Sequence, residues 1–397
     1  MSLRQRDVKA LFGVTTMMAL GEELWARYFP KLLLSAGGSI GQVGLYGTLK
    51  DLGECIFAYS GSAITARQGE KRSLILFTAL YLVGAAILLF DVPPVLLIVG
   101  ALATTAWSSL SLPATFSVLG KNVESKDLPW AFAIQSIIKR IPIVIGPILG
   151  GWLIERSGVQ GGTRFGVAIS MLIAGIGGVF TAKFFTSKKP DLASKSKFLR
   201  GFFSEIRDMP SRFSRLNPKL HALLVSDVLA RWSDGLVRNL LVVHITNKLG
   251  LSATDFGILI ATQMGVSIAL YIPVGLWSKG KETAPLVQTT FFMFAIFPLA
   301  LTFVNSFYSA LIAFMIAGLR EIGEPARKAS ITSLLPVDSQ ATGVGFYYFL
   351  RGLMVLLAPI AGALIYGYTG LGCFYFASAL GALGFVFSWI GPAVGRN

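Results

Sequence analysis

Two stretches of the chain, KRIPIVIGPILGG (139–151) and RGLMVLLAPIAGA (351–363), lie 212 positions apart and determine the fold. Each begins with a basic residue, has a proline eight positions later and a glycine three positions after that proline. Two unrelated hydrophobic helices would not be expected to share a basic residue, a proline and a glycine at the same spacing. The match therefore indicates an internal repeat.

The same offset pairs chemically similar residues along both halves without a gap. The further pairs are Glu22 with Asp234, Tyr59 with Tyr271, Arg67 with Lys279, Glu70 with Glu282, and Pro113 with Pro325. A parallel duplication of this kind is typical of membrane transporters that work by alternating access.

The composition places the chain in a lipid bilayer. Of its 397 residues 54% are hydrophobic and only 14% are charged, and the mean hydropathy is +0.67. A spanning helix needs about 20 apolar residues, so the chain has room for about twelve. The predicted spans, numbered 1 to 12 in order, are 8–34, 40–65, 73–90, 94–119, 128–154, 165–184, 220–246, 254–277, 285–304, 308–333, 342–366 and 371–391.

The basic residues predict the orientation in the membrane. The net charge is +15, but the Lys and Arg residues outside the spans lie in short connectors rather than on a recognition face, so nucleic acid is not an expected partner. With the N-terminus inside, 21 of the Lys and Arg residues near the ends of the spans or between them lie in the cytoplasm and four lie outside. We therefore expect an integral, multi-pass protein of the cell (inner) membrane with both termini cytoplasmic. Its expected parts are an N-terminal six-helix bundle (1–184), a basic linker (185–219) and a C-terminal six-helix bundle (220–397).

Two local motifs carry a family resemblance. The connector from Ser62 to Arg72 is similar to the Gly-x-x-x-Asp-Arg-x-Gly-Arg-Arg/Lys-Arg loop of the major facilitator superfamily, although Ser62 and Ala66 replace the first glycine and the acid. Span 5 resembles the Gly-x-x-x-Gly-Pro-x-x-Gly-Gly signature of the superfamily's antiporters, with Pro142 at the first position.

The resemblance implies an all-α membrane protein with twelve transmembrane helices in two six-helix bundles related by pseudo-two-fold symmetry. It favours an exporter, although small-residue packing alone also explains the span 5 motif. It also implies gating roles, which we assign to Arg67, Gly69, Arg72, Pro142, Gly146, Pro147, Gly150, Gly151, Pro359 and Gly362.

Ionisable residues within the spans mark the candidate transport site. Each costs roughly 2.5 to 3.5 kcal/mol near the bilayer centre, so it is retained for function or for pairing. Apart from Lys183 at the end of span 6, spans 3, 6, 9 and 12 contain no Asp, Glu, Lys or Arg, which fits four outer helices facing lipid. The predicted proton-coupling residues are Glu22, Glu23, Asp51, Glu54, Asp234, Glu321 and Glu324. The predicted substrate-binding residues are Trp25, Arg27, Lys139, Arg140, Arg231, Arg238, Gln263, Arg320, Tyr347 and Arg351.

The alternative is that many of these charges form structural pairs. Helical spacing predicts pairs between Glu23 and Arg27, Arg231 and Asp234, Asp234 and Arg238, and Arg320 and Glu324. We expect about half of the charges to be structural.

Other classes of chemistry lack a motif in this sequence. The two histidines and two cysteines are not spaced as metal ligands, and neither an ATP-binding loop nor a nucleophile elbow is present. We therefore expect no enzyme activity, no metal and no cofactor.

Three functions remain open. The leading hypothesis is proton-coupled export of a small amphipathic or anionic solute by a monomer. The second is an importer or facilitator of an organic anion, such as a carboxylate metabolite or siderophore. The third is a non-transporting membrane receptor or assembly subunit.

Overall fold

The computed structural model describes residues 3–111, 114–115, 118–119, 128–185, 217–277, 284–334 and 340–390. Every regular element in these ranges is helical. The helices of the first half are Leu3–Glu23, a 3-10 turn Ala26–Tyr28, Phe29–Ser35, Ile40–Gln68, Glu70–Leu89, Pro94–Leu110 and Leu128–Phe184. Gly158, with a φ of 72°, divides Leu128–Phe184 into spans 5 and 6.

The second half repeats this order of elements. Its helices are Pro218–Arg238, Leu241–Val243, a π-helix His244–Lys248, Ala253–Trp277, Ala284–Thr302, Phe307–Leu319, Glu324–Ser333, Gln340–Val355, Ala358–Thr369 and Gly372–Ile390. Part of predicted span 4 and the whole predicted linker 185–219, apart from its ends, lie outside the described residues.

Many of these helices have the length and composition of membrane spans. Within the described ranges six segments qualify: Glu70–Leu89, Ile138–Phe184, Ala253–Leu270, Ala284–Thr302, Phe346–Thr369 and Gly372–Trp389. Two shorter apolar helices, Pro94–Leu110 and Phe307–Leu319, accompany them.

The chain forms two compact units. Unit 1 contains Met1–Gln42, Leu49–Ser204 and Ser252–Ile258, and unit 2 contains Val43–Thr48, Glu205–Leu251 and Leu259–Asn397. The boundaries proposed from sequence, at 184 and 220, remain a prediction.

Four spans expected to be continuous are broken in the structure; span 7 is interrupted at Asn239–Leu240, and each of the other three breaks is followed by a proline. Span 1 is interrupted at Leu24–Tyr28, span 10 at Arg320–Gly323 and span 11 at Leu356–Leu357. A proline occupies the second position of the helix that follows each of these three breaks, at Pro30, Pro325 and Pro359. Proline lacks a backbone N–H and removes one hydrogen bond of the α-helical ladder, so the preceding turn loses its regular pattern. Each break lies close to charged residues of its span.

The sequence repeat corresponds to a repeated contact in three dimensions. In unit 1, a Cβ atom added to Gly150 of span 5 would lie 2.1 Å from the carbonyl oxygen of Leu24 in span 1. In unit 2, a Cβ atom on Gly362 of span 11 would lie 2.0 Å from the carbonyl oxygen of Leu236 in span 7. Both residues of the first contact are related to those of the second by the offset of 212. Glycine is therefore required at both places because a helix backbone passes directly over it.

Candidate transport site

Unit 2 contains a buried network of ion pairs centred on Asp227, whose side chain is 1% exposed. One carboxylate oxygen, Oδ2, accepts hydrogen bonds from Arg327, from the Tyr347 hydroxyl at 3.2 Å and from Arg351 at 3.3 Å. Arg231 approaches the other oxygen at 3.6 Å. Asp227 therefore connects spans 7, 10 and 11.

Glu324 extends this network. It accepts hydrogen bonds from Arg231 and, at 2.7 Å, from Arg327. The side chain of Arg327 is 2% exposed, so this guanidinium is held between two buried carboxylates. The network joins the two carboxylates of Asp227 and Glu324 to the three guanidiniums of Arg231, Arg327 and Arg351, which leaves one positive charge in excess.

A separate ion pair lies one turn further along span 7. Arg320 donates a hydrogen bond of 2.6 Å to Asp234, and its Nε donates to the Ala317 carbonyl at 3.1 Å. The Arg320 guanidinium also packs over the rings of Phe294 and Phe297, at 5.0 and 4.6 Å from their centroids. The break in span 10 supplies this geometry, because Arg320 follows directly after the helix ends at Leu319.

The charges of unit 1 are arranged more loosely. Glu23 and Arg27 form an ion pair of 2.6 Å across the break in span 1. The half-buried Glu22 carboxylate makes no hydrogen bond or ion pair with any residue that the structure describes, although Lys50, Glu23, Glu54 and Arg27 act on it electrostatically. Glu22 is therefore in the field of several charges without being fixed by one of them.

Lys139 and Arg351 occupy equivalent places in the repeat but have different surroundings. Arg351 binds Asp227, whereas the residue equivalent to Asp227 in the first half is Thr15. Within the described part of the chain, the Lys139 ammonium makes no hydrogen bond or ion pair, and its electrostatic partner is Glu22. The acid that neutralises the basic residue in unit 2 is thus absent from the matching position of unit 1.

Of the four predicted charge pairs, one is correct and two are wrong, and the pair of Asp234 with Arg238, which interact electrostatically, stays a prediction. The pair between Glu23 and Arg27 is confirmed. Arg231 binds Asp227 and Glu324 in place of Asp234, and Arg320 binds Asp234 in place of Glu324. Spacing along one helix was ambiguous for Arg231, which pairs with Asp227 at a spacing of four, and it could not show the pairs that cross between helices, Arg231 with Glu324 and Arg320 with Asp234.

The remaining predicted site residues lie in different environments. Trp25 and Tyr347 are fully buried; the Trp25 indole lies 3.5 Å from the Tyr81 hydroxyl, and Tyr347 bonds Asp227. Intermediate exposure is shared by Asp51, Lys139, Arg140, Gln263 and Glu321, and Glu54 and Arg238 are exposed. The roles assigned to all these residues remain predictions.

Several of the predicted gating residues adopt a special backbone conformation or pack closely against another helix. Gly69 separates two helices with φ 80° and ψ 164°, a conformation that residues with a side chain rarely adopt. Gly146 packs against Glu23, where an added Cβ would lie 2.5 Å from the Glu23 Cβ. Arg72 is exposed, and the side chain of Arg67 lies outside the described residues. The other members, Pro142, Pro147, Gly150, Gly151, Pro359 and Gly362, are buried.

Three residues of unit 2 that our site prediction omitted are Asp227, Arg327 and Tyr348. The Arg351 guanidinium lies over the Tyr348 ring, 4.7 Å from its centroid. A spacing of four between Asp227 and Arg231 was visible in the sequence, but the contacts with Arg327 and Arg351 join residues 100 and 124 positions apart.

Family comparison agrees with this architecture. Residues 11–226 and 223–395 each match the Major Facilitator Superfamily, so the two matches together cover nearly the whole chain. The chain belongs to the Major Facilitator Superfamily. It is a multi-pass membrane transporter and not an enzyme, and the predicted all-α fold of that superfamily is confirmed. No curated protein matches the sequence.

Solved transporter structures share the fold at low sequence identity. A mutant of the nucleoside transporter NupG has a TM-score of 0.78 and 9% identity, over 98% of this chain and 99% of that chain. A POT family transporter in complex with 5-aminolevulinic acid has a TM-score of 0.75 and 13% identity, over 98% and 97%. A bacterial homologue of the human lysosomal transporter Spinster has a TM-score of 0.69 and 14% identity, over 98% and 95%.

Proposed function

We propose that this protein is a proton-coupled exporter of a small amphipathic anion, in which Glu22 carries the proton and Lys139 attracts the solute. The observation that supports this proposal best is the contrast between Glu22 and its repeat equivalent Asp234. Asp234 is bound by Arg320 at 2.6 Å, whereas the Glu22 carboxylate has no bonded partner among the described residues.

A proton carrier has to exist in both charge states during transport. A carboxylate bonded to a guanidinium strongly favours the ionised state, because arginine does not deprotonate in proteins. This reasoning disfavours Asp234 and Glu324 as carriers, since both are bonded to arginine. Glu22 is half-buried and free of such a bond to described residues, so protonation there costs less. We therefore reduce the proposed proton-coupling set to Glu22, with Glu54 and Lys50 as charges that tune it.

Lys139 links proton binding to solute binding. When Glu22 is ionised, its charge offsets that of Lys139. When Glu22 binds a proton, Lys139 loses this compensation and attracts an anion more strongly. The two events are thereby coupled through electrostatics alone, without a bond between the two side chains.

The direction of transport is supported by the resemblance of span 5 to antiporters. The close approach of Gly150 to Leu24 recurs at Gly362 and Leu236, so the glycines also serve packing in both units. The glycines alone therefore do not indicate the direction of transport. The proposal of export is supported by the whole motif, including Pro142 and Pro147. The gating roles of the predicted set, the orientation with both termini cytoplasmic and the monomeric state are parts of the same proposal.

The test is transport by the full chain in proteoliposomes loaded with a panel of membrane-impermeant aromatic anions, beginning with carboxyfluorescein. We expect an imposed pH gradient to accelerate release from liposomes containing the wild type. Glu22→Gln should leave release down the anion's own gradient intact and abolish the acceleration, because the amide cannot carry a proton.

Two variants serve as controls for this experiment. Asp91→Asn should behave as the wild type, since Asp91 forms an exposed pair with Arg164 and its side chain is 83% exposed. Asp234→Asn should lower the yield of folded protein, because the substitution leaves Arg320 without its acid. Transport by the folded fraction should still respond to the pH gradient. If Glu22→Gln retains pH-driven release, or if no anion of the panel responds to the gradient, the proposal is wrong.

A further inference from the structure

We infer that Arg351 is the residue that recognises the anionic group of the solute, and that this group is a carboxylate or phosphate bound by the free edge of its guanidinium. The inference rests on the proposed transport of a small anion and assigns the recognition site within unit 2. Three features of Arg351 support it: the charge balance of its network, its unused hydrogen-bond donors and its fixed orientation.

The first feature is the excess positive charge. Asp227 and Glu324 are matched by three guanidiniums, and Arg327 occupies the position between the two acids. Arg231 also binds both acids. Among the acids of the described residues, Arg351 contacts Asp227 alone, at 3.3 Å, and that same oxygen already accepts from Arg327 and Tyr347. The uncompensated charge is therefore concentrated on Arg351, and a partly buried cation without a full counterion favours binding of an anion.

The second feature is the set of unused donors. A guanidinium has five N–H donors. Among the residues that the structure describes, Arg351 uses only an Nη1 donor, and its side chain is 21% exposed. Arg327, by contrast, is 2% exposed and bonds both acids. Arg231 is similarly exposed, at 26%, but it approaches both acids. Among the described residues, Arg351 therefore combines spare donors and exposure with contact to a single acid.

The third feature is the orientation of the guanidinium plane. The Arg351 guanidinium lies over the Tyr348 ring, 4.7 Å from its centroid, and the bond to Asp227 fixes a second point. Two such contacts restrict the long side chain before any ligand arrives, which reduces the entropy lost on binding. A planar fork held in this way matches the two oxygens of a carboxylate or phosphate, which a lysine ammonium does not reproduce.

The sequence repeat shows that this arrangement is specific to unit 2. The equivalents of Asp227, Arg231 and Arg327 in the first half are Thr15, Ala19 and Thr115, none of which is charged. The network is therefore not an inherited feature of both halves. A basic residue recurs at the position of Arg351, as Lys139, but the charged residues that surround and orient it occur only in unit 2.

The test is thermal unfolding of the purified full chain in mild detergent, titrated with benzoate and with its neutral analogue benzamide. We expect benzoate to raise the unfolding temperature of the wild type and benzamide to raise it much less. Arg351→Lys should raise the benzoate concentration needed for half-saturation about tenfold, since lysine keeps the charge but lacks the planar pair of N–H donors. Arg351→Gln should remove the difference between benzoate and benzamide.

Matched variants separate recognition from folding and from coupling. Arg164→Gln removes a guanidinium that pairs with the exposed Asp91, and it should retain the wild-type response. Tyr348→Leu should weaken benzoate binding while preserving the preference over benzamide, because Tyr348 only positions the guanidinium. Glu22→Gln should preserve the preference for benzoate over benzamide, because Arg351 is unchanged, even if it abolishes coupling. Failure of the proposed proton coupling is thus distinguishable from failure of this inference.

The inference is overturned if benzoate stabilises Arg351→Gln as strongly as the wild type, or if benzamide and benzoate act equally on the wild type. It is also overturned if Arg351→Lys binds benzoate as tightly as the wild type, since the fork would then play no part. A repeat with phenyl phosphate assigns the preferred anion: a larger shift than with benzoate favours phosphate, and a smaller one favours carboxylate.

Discussion

Asp227 is the residue on which the charged network of unit 2 depends. Its side chain is almost fully buried and accepts hydrogen bonds from three residues of spans 10 and 11. Asp227→Asn removes one of two acids that face three guanidiniums, and breaking a buried pair in this way costs about 3 to 5 kcal/mol. We expect a lower free energy of unfolding by about this amount, measured by denaturation in mild detergent.

Ser226 provides the matched control at the neighbouring position. It is fully buried as well, but its hydroxyl donates to the Ala222 carbonyl of its own helix. Ser226→Ala should therefore change the free energy of unfolding by no more than about 1 kcal/mol. Equal losses in Asp227→Asn and Ser226→Ala would show that burial alone, and not the ion-pair network, determines the effect.

Residue-scale pairing was the least predictable part of the site. The spacing of Glu23 and Arg27 gave the correct pair because both lie on consecutive turns of the same span. For Asp227 the decisive partners come from spans 10 and 11, and their approach depends on how those helices pack. A single sequence indicates that buried charges need partners, but it does not indicate which helix supplies them.

The contacts between helices of each unit depend on small residues at matching positions. A methyl group on Gly150 would meet the Leu24 carbonyl at 2.1 Å, and one on Gly362 would meet the Leu236 carbonyl at 2.0 Å. Both distances are far below van der Waals contact, so Gly150→Ala and Gly362→Ala each require a helix to move. We expect a loss of about 1 to 3 kcal/mol or more for each variant, and a loss of monodisperse protein in size-exclusion chromatography.

Gly175 of span 6 offers a control, because an added Cβ there meets no atom within 4 Å. Gly175→Ala should be neutral or stabilising, since alanine favours the helix by about 1 kcal/mol over glycine. If the variants at positions 150 and 362 are as well folded as Gly175→Ala, the repeated close contact does not stabilise the units.

The presence of the helices could be predicted from the sequence, but the positions at which they break could not. Hydropathy located the spans because the bilayer requires long apolar segments. The breaks at Pro30, Pro325 and Pro359 were less predictable, because Pro142 and Pro147 lie inside a helix that continues through them. A proline permits a break, but the packing around it determines whether the helix bends or stops.

At the scale of the whole molecule, the two units differ in how they hold charge. Unit 2 binds Asp227, Asp234 and Glu324 to arginines, whereas unit 1 leaves Glu22 and Lys139 in electrostatic contact without a bond to described residues. A duplicated fold has thus acquired different electrostatics in its halves. The proposals assign proton binding to Glu22 and attraction of the anion to Lys139, both in unit 1, and recognition of the anionic group to Arg351 in unit 2.

The orientation of the whole chain in the membrane follows from its basic connectors. With the N-terminus inside, as predicted, 21 Lys and Arg residues near the ends of the spans or between them face the cytoplasm and four face the exterior. We expect a fluorescent protein fused to the C-terminus to be fluorescent, and alkaline phosphatase fused there to be inactive. Phosphatase fused after Gln160, in the connector that contains Gly158, should be active because this connector is external in the predicted orientation. The opposite result at both sites would show that the predicted topology is inverted and that the basic linker lies outside the cell.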